Sequence, residues 1–281
     1  WHRMQKMHPA DIRRIRTIKN SKNRQQKHPE EQVKYLNQEI ERKQHHQLKA
    51  EEDSESTLKN KGVTGMNIIM ITGASSGMGL EFALQLDNVF DSIDEIWLIA
   101  RRKEEMLKVA ECMEHTTRIL DMDVTNEAHM KRLAHLLQKE KPVIRMLVNC
   151  AGYGVMGDFT KLNRKEELGM IDVNCKALTD MTYLCIPYMR KNSRIIQLAS
   201  SAAFMPQPYF AVYAASKSYV YSFSRALSEE LRSRRIYVTA VCPGPVDTPF
   251  FDIAEKDGKT LSIKKLTLAS PEKVVERAIA D

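Results

Sequence analysis

From Met66 onward, short apolar runs alternate with amphipathic stretches, and this alternation predicts the architecture. Asn67–Ile71 is a first apolar run, followed by glycines and an amphipathic stretch to Leu86. Glu95–Ala100 reads as a second strand, with a charged helix after it over about Lys103–Met113. Arg118–Leu120 leads into Asp121–Thr125, and a helix follows to about Lys139. Val143–Asn149 is the fourth strand, with one long helix over 164–190. Arg194–Ala199 is the fifth, the helix carrying Tyr213 runs on to Arg234, and Ile236–Cys242 is the sixth. Short apolar strands between helices predict a parallel sheet covered on both faces. Right-handed crossovers then give an α/β, doubly wound parallel sheet, a Rossmann-like three-layer sandwich. Its ligand crevice lies at the carboxyl ends of the strands.

Residues 1–65 follow a different pattern. Ile12, Ile15 and Ile18 form one stripe and Val33, Leu36 and Ile40 another, in a background that is almost wholly polar. Both stripes are too narrow to hold a core, so a solvated, partly helical or disordered extension is expected, separate from the domain at 66–281. The sequence opens on Trp1, whereas Met66 directly precedes the first strand, which makes Met66 the expected native start. At the other end, Ser270-Pro271-Glu272 reads as a helix start, with serine as N-cap and proline at the first helical position. The sequence stops inside that helix without a seventh strand, so the sixth strand is expected to carry an unpaired edge.

Charge sharpens the division. The net +7 is concentrated in residues 1–65, with 15 Lys/Arg against 9 Asp/Glu; the remainder carries 28 against 27. A basic arm suits nucleic acid or an acidic partner, but the solvated extension is the preferred reading, and nucleic acid is not the expected partner. With 43% hydrophobic residues the chain can build a sizeable core. No run approaches the ~20 apolar residues that span a bilayer, and no signal-peptide pattern opens the sequence. Five widely spaced cysteines, without a CxxC or His/Cys cluster, read as reduced core residues of a cytoplasmic protein and give no metal site.

Three pieces of chemistry stand on these elements. Thr72-Gly73-Ala74-Ser75-Ser76-Gly77-Met78-Gly79 follows the first strand and opens a helix. Glycines admit a pyrophosphate close to the backbone, and helix N-terminal amides favour the anion. At the end of the second strand stands Ala100, followed by Arg101 and Arg102, where an acidic residue would accept the adenosine ribose 2′-hydroxyl. Guanidiniums pair with phosphate, so NADP(H) is the expected cofactor, with NAD(H) the alternative. Tyr213 and Lys217, four residues apart, share one helix face, and Ser200 lies thirteen residues before the tyrosine. A nearby ammonium favours the phenolate and should bring the tyrosine pKa down from about 10, making the pair a proton donor and acceptor.

In this order, with Asp123-Val124, Asn149-Cys150-Ala151-Gly152, Asn174 and Pro243-Gly244-Pro245-Val246-Asp247-Thr248 between and after them, these motifs resemble the short-chain dehydrogenase/reductase family over roughly residues 66–250. Within that family the chain looks like an NADP-preferring carbonyl reductase or alcohol dehydrogenase. The resemblance implies that the glycine turn holds the pyrophosphate and that Asp123 and Val124 border the adenine. It implies that Asn149 and Gly152 shape the floor beside the cofactor, that Ala151, Pro243, Gly244 and Val246 also bind it, and that Thr248 bonds the carboxamide. Cys150 departs from the family's usual asparagine. Tyr213 would exchange a proton with the substrate oxygen, Lys217 would hold the nicotinamide ribose, Ser200 would bond the carbonyl or alkoxide, and Asn174 would hold a proton-relaying water. Ser201 competes with Ser200, but the spacing favours Ser200.

The implied reaction interconverts a ketone or aldehyde and an alcohol by hydride transfer, with reduction favoured. Epimerisation, enoyl reduction and a non-catalytic dinucleotide sensor are the alternatives. A homodimer or homotetramer through the helices around 164–190 and 213–234 is expected from the resemblance. The apolar segment Pro249–Leu268 (Phe250, Phe251, Ile253, Leu261, Ile263) suggests a lid over a hydrophobic ligand, with Phe204, Met205 and Tyr209 lining the same pocket. Steroid, acyl-thioester and small ketone substrates are all compatible with this.

Overall fold

The computed structural model describes residues 65–90, 92–250 and 268–280. The extension at 1–64 and most of the expected lid, with Phe251, Ile253, Leu261 and Ile263, lie outside the described residues. Six strands, β1 (Asn67–Thr72), β2 (Glu95–Ala100), β3 (Thr116–Asp121), β4 (Val143–Asn149), β5 (Met189–Leu198) and β6 (Tyr237–Val241), form one sheet. Every pairing is parallel and the order is β3-β2-β1-β4-β5-β6. Two halves wound outward from β1 and β4 leave a crevice where the order reverses, at the strands' carboxyl ends.

Helices α1 (Gly77–Val89), α2 (Lys103–Ala110), α3 (Glu127–Glu140), α4 (Arg164–Ile171), α5 (Leu178–Cys185), α6 (Ala211–Glu230) and α7 (Pro271–Ala280) complete the described elements. Alternate residues of the central strands feed two cores. Ile69, Ile71, Ile96 and Leu98 pack with Phe82, Leu86 and Met106, and with Val275 of α7. Ile68, Met70, Trp97 and Ile99 pack on the other face with Leu133, Leu137, Met181 and Leu227. Burial of both faces is why the strands read as unbroken apolar runs rather than as alternating ones. Each fully buried aliphatic side chain contributes about 1.5–3 kcal/mol relative to exposure.

The single helix expected over 164–190 is divided. A π turn, Asp172–Ala177, joins α4 to α5, and a 3₁₀ turn, Ile186–Tyr188, follows. Pro187 lacks an amide hydrogen and cannot extend α5. Strand β5 starts at Met189, five residues before the expected Arg194. Its first half escapes an apolar reading because it is bulged: the register with β4 shifts between Ile144 and Met146, and Asn192 adopts φ 71°. The predicted helix start at Pro271 is found, with Lys273 N donating to Ser270 Oγ at 3.4 Å. Among the described residues β6 has no outer neighbour.

Candidate active site

The chain leaves β1 at Thr72 and turns through Gly73, whose φ of 68° favours glycine. The turn closes so tightly that a Cβ on Gly79 would lie 2.3 Å from Gly73 O, so only glycine fits there. Ser76 is the N-cap of α1, yet no side chain caps this helix, which leaves its first amides facing the cleft. The serine hydroxyls instead take up Arg102. Its Nη2 donates to Ser75 Oγ at 3.0 Å and to Ser76 Oγ at 2.6 Å, so a guanidinium lies over the glycine turn. Arg101 is exposed, with Nη1 4.0 Å from Asp123 Oδ2. Partial burial pushes the Asp123 carboxyl up. The Thr125 hydroxyl and amide, with Arg101, outweigh it and hold Asp123 below the usual carboxylate range.

Thr72, Asn149 and Asn174 sit behind the cleft wall rather than in it. Thr72 Oγ1 accepts from Cys150 N and Ala151 N at 3.1 Å each, fixing the start of the loop after β4. Asn149 Nδ2 donates to Thr182 Oγ1 and Gln197 Oε1, both at 3.0 Å. Asn174, fully buried in the π turn, donates through Nδ2 to Tyr153 O and Ser216 Oγ at 3.0 Å and accepts from Tyr153 N at 3.1 Å. Both of its amide hydrogens are engaged, so a relay water has only the second Oδ1 lone pair or the backbone carbonyl to bind. Gly152 permits this approach, since a Cβ there would lie 2.9 Å from Asn174 Oδ1 and 3.6 Å from Lys217 Nζ.

Tyr213 and Lys217 stand one turn apart on α6, facing Ser200 at the end of β5. Ser200 Oγ accepts from Ala202 N at 3.2 Å, capping the short turn Ser201–Phe204, and it lines the same cleft as Tyr213. Ser201 is tied to the facing wall by its amide, which donates to Pro243 O at 2.8 Å. Burial pushes the Tyr213 phenol up to about 12, with the nearby Ser200 side chain acting in the opposite direction. The expected lowering of Tyr213 by Lys217 is not found. Lys217 Nζ donates to Leu198 O at 2.7 Å and lies 5.7 Å from the centre of the tyrosine ring. Burial also lowers Lys217 itself to about 8, weakening it as a source of positive charge, although the Cys150, Cys175 and Cys242 thiols act to raise it. Cys150 is pushed up to about 12 by burial against the pull of Lys217, so it stays a neutral thiol.

One cleft of about 1100 Å³ gathers the glycine turn, Arg101, Arg102, Asp123, Val124, Ala151, Gly152, Ser200, Tyr213, Lys217, Pro243, Gly244, Val246 and Thr248. Phe250 lines it as expected, its ring centre 5.4 Å from that of Tyr213. Phe204, Met205 and Tyr209 do not line it. They are 60%, 62% and 68% exposed, and Phe204 packs edge-on against Tyr221. Their place is taken by Phe210, stacked on Tyr213 at 4.2 Å between ring centres. Its i, i+3 spacing from Tyr213 across the start of α6 is the signal that could have found it.

The turn that only glycine can close, the uncapped helix amides and the guanidinium above them fit a dinucleotide. Residues 67–258 match the short chain dehydrogenase family, and the chain belongs to that family. It is 31% identical over 184 residues to an uncharacterized oxidoreductase of Staphylococcus epidermidis, covering 65% of this chain and 79% of that protein. It is 32% identical over 193 residues to 17-beta-hydroxysteroid dehydrogenase type 3 of Mus musculus, covering 64% of this chain and 60% of that protein. Among solved structures it resembles the closed form of a serine dehydrogenase complexed with NADP+, at 29% identity and a TM-score of 0.68, covering 76% of this chain and 88% of the other. The chain is thus an oxidoreductase of that family. Among the described residues no helix is long and apolar enough to cross a membrane.

Proposed function

We propose that the chain is an NADP(H)-dependent carbonyl reductase and alcohol dehydrogenase, interconverting a ketone or aldehyde and an alcohol. The observation that carries this reading is the convergence of Ser200, Tyr213 and Lys217, the last two one helical turn apart, in the same cleft as the glycine turn. The catalytic role is assigned to residues 66–281, with 1–65 as a separate extension.

The α1 amides would hold the pyrophosphate, and Arg102 with Ser75 and Ser76 would take a ribose 2′-phosphate. Asp123 and Val124 would border the adenine, Lys217 would hold the nicotinamide ribose, and Thr248 would bond the carboxamide. When bound, the nicotinamide supplies or accepts a hydride at the substrate carbon. Tyr213 is a neutral phenol at working pH, the state required of a proton donor to a carbonyl oxygen. The Ser200 hydroxyl holds that oxygen as it gains the proton. Phe210 and Phe250 suit an apolar substrate. The NADP+ bound to the similar serine dehydrogenase supports the cofactor preference.

Exposed Leu168 and Ile171 on α4 and Tyr219 on α6 support self-association through these helices. Five unpaired cysteines support a reducing, cytoplasmic setting.

Tyr213→Phe removes the proton and keeps the ring packing. Turnover of a panel of carbonyl compounds, followed by NADPH absorbance, should fall on the order of 10²–10⁴-fold. NADPH affinity should stay near wild type. A variant that retains turnover overturns the mechanism.

A further inference from the structure

We propose that His129 is a positioning residue for the adenine end of the dinucleotide site, acting as a neutral hydrogen-bond acceptor that sets Asp123 and Val124. The inference rests on the dinucleotide reading above. Among the described residues strand β3 is an edge of the sheet, so no outer strand of these supplies partners as its chain runs on into the cleft. Met122 N still reaches back to Ala100 O at 3.0 Å, the last such bond to β2. The next amide, Asp123 N, donates instead to His129 Nδ1 at 2.9 Å. An amide donor requires the imidazole to offer a lone pair at Nδ1, so this ring carries its proton on Nε2.

The histidine is itself fixed. Its backbone amide donates to Asn126 Oδ1 at 3.2 Å as part of the α3 cap, and α3 places Arg132 one turn further, with Nη2 donating to Asp121 O at 3.0 Å. Two side chains of α3 therefore grip the end of β3 at positions 121 and 123.

The consequence lies at the carboxylate. Asp123 Oδ1 is occupied by Thr125, which donates from its amide at 2.9 Å and from its hydroxyl at 2.7 Å. Oδ2 is the oxygen left facing Arg101 and the cleft. With its amide held by His129 and Oδ1 held by Thr125, Asp123 presents Oδ2 in one orientation, beside the Val124 backbone. Without the imidazole acceptor, the Asp123 amide must turn to water, and the Met122–Asp123 peptide that leads into Val124 loses its fixed plane, although Asp123 O still accepts from Asn126 N at 3.0 Å. The effect is confined to the adenine half, because the residues around Tyr213 have no part in this network.

The test uses the full chain and direct binding by fluorescence titration, with melting temperature as a control. In His129→Phe the dissociation constants of NADPH and of 2′,5′-ADP should rise roughly tenfold, while that of reduced nicotinamide mononucleotide, which lacks the adenine, is unchanged. His129→Asn puts an amide oxygen close to the position of Nδ1 and should restore most of the 2′,5′-ADP affinity. Equal losses for both half-ligands in His129→Phe, or no loss for either, overturn the inference, as does failure of His129→Asn to rescue. A wild-type protein that binds none of the three ligands removes the dinucleotide reading and this inference together. Wild-type binding with no carbonyl turnover removes only the proposed reaction.

Discussion

In the proposed function, cofactor choice and catalysis rest on two cationic side chains, Arg102 and Lys217, with unlike surroundings. Arg102 lies at the surface, held by two serine hydroxyls that a 2′-phosphate could replace or share. A charge-assisted bond of this kind is worth about 1.5–3 kcal/mol. Arg102→Ala should therefore weaken NADPH binding roughly 10- to 100-fold and leave NADH nearly unchanged, as measured by titration of each. Lys217 is the opposite case. Burial lowers it from an ordinary 10.5 to about 8 in the cofactor-free fold. Between those values the unfolded chain binds more protons than the folded one, so stability rises with pH across the window. Below about 8 both states are protonated, and the full cost of the buried ammonium is present. Tyr213, raised by burial to about 12, reverses the trend above its ordinary value near 10. Lys217→Met should thus raise the stability of the cofactor-free protein at pH 7 by on the order of 1–3 kcal/mol. It should also flatten the wild-type gain between pH 8 and 10 seen by calorimetry, and abolish turnover. A variant less stable than wild type at pH 7 would show that the Leu198 contact outweighs the desolvation.

At the scale of elements, what could be read in advance follows from how local the determining forces are. All six strands were legible as strands: burial on both faces makes β1, β2, β4 and the second half of β5 short apolar runs, and the edge strands β3 and β6 still carry Ile119, Leu120, Val238 and Val241. The glycine turn was legible because its chemistry is set by residues adjacent in sequence. Ser270 likewise announces a helix start within three positions of itself, whereas the Asn126 cap of α3 emerges only in the structure. The errors fall where a tertiary partner decides. The π turn at Asp172–Ala177 places Asn174 against the Tyr153 backbone, 21 positions away in the chain, and no periodicity in α4 and α5 reports it. The bulge that starts β5 at Met189 is fixed by Ser193 Oγ donating to Ile144 O at 2.7 Å. The same limit applies at the site. The spacing of Ser200, Tyr213 and Lys217 gave their proximity, but the direction of the lysine depended on Leu198 O, a backbone atom of β5. Phe204, Met205 and Tyr209 were apolar and near the site in sequence, yet the turn after β5 leaves them outward. Phe210 lies behind the left-handed Tyr209, at φ 62°, and reaches the tyrosine ring.

At the scale of the whole molecule, one wall of the cleft depends on a helix remote in sequence from the glycine turn that it serves. The segment Pro243–Phe250 carries Gly244, Val246 and Thr248 into the cleft without belonging to the sheet. Its anchor is Ala269, whose amide donates to Pro245 O at 2.8 Å and whose carbonyl accepts from Asp247 N at 3.0 Å. Ala269 leads directly into α7, and α7 is fastened to α1. Val275 and Ala278 enter the core shared with Phe82, Leu86 and Val246, and Gln85 Nε2 donates to Glu272 O at 2.9 Å. Since α1 also begins with the glycine turn, both sides of the cofactor cleft are referred to one helix pair. A cavity at that junction should be felt in stability and in binding together. Val275→Ala removes two buried methyl groups from a fully enclosed position and should cost about 2 kcal/mol, or roughly 4–8 °C in Tm. NADPH affinity, measured well below the melting transition, should weaken in the same variant because the Pro243–Phe250 wall loses its fixed support. Glu276→Ala, one residue on and exposed, provides the control and should change neither. If Val275→Ala lowers Tm and leaves NADPH affinity intact, the wall is held by its own bonds to Ala269, and α7 contributes stability alone.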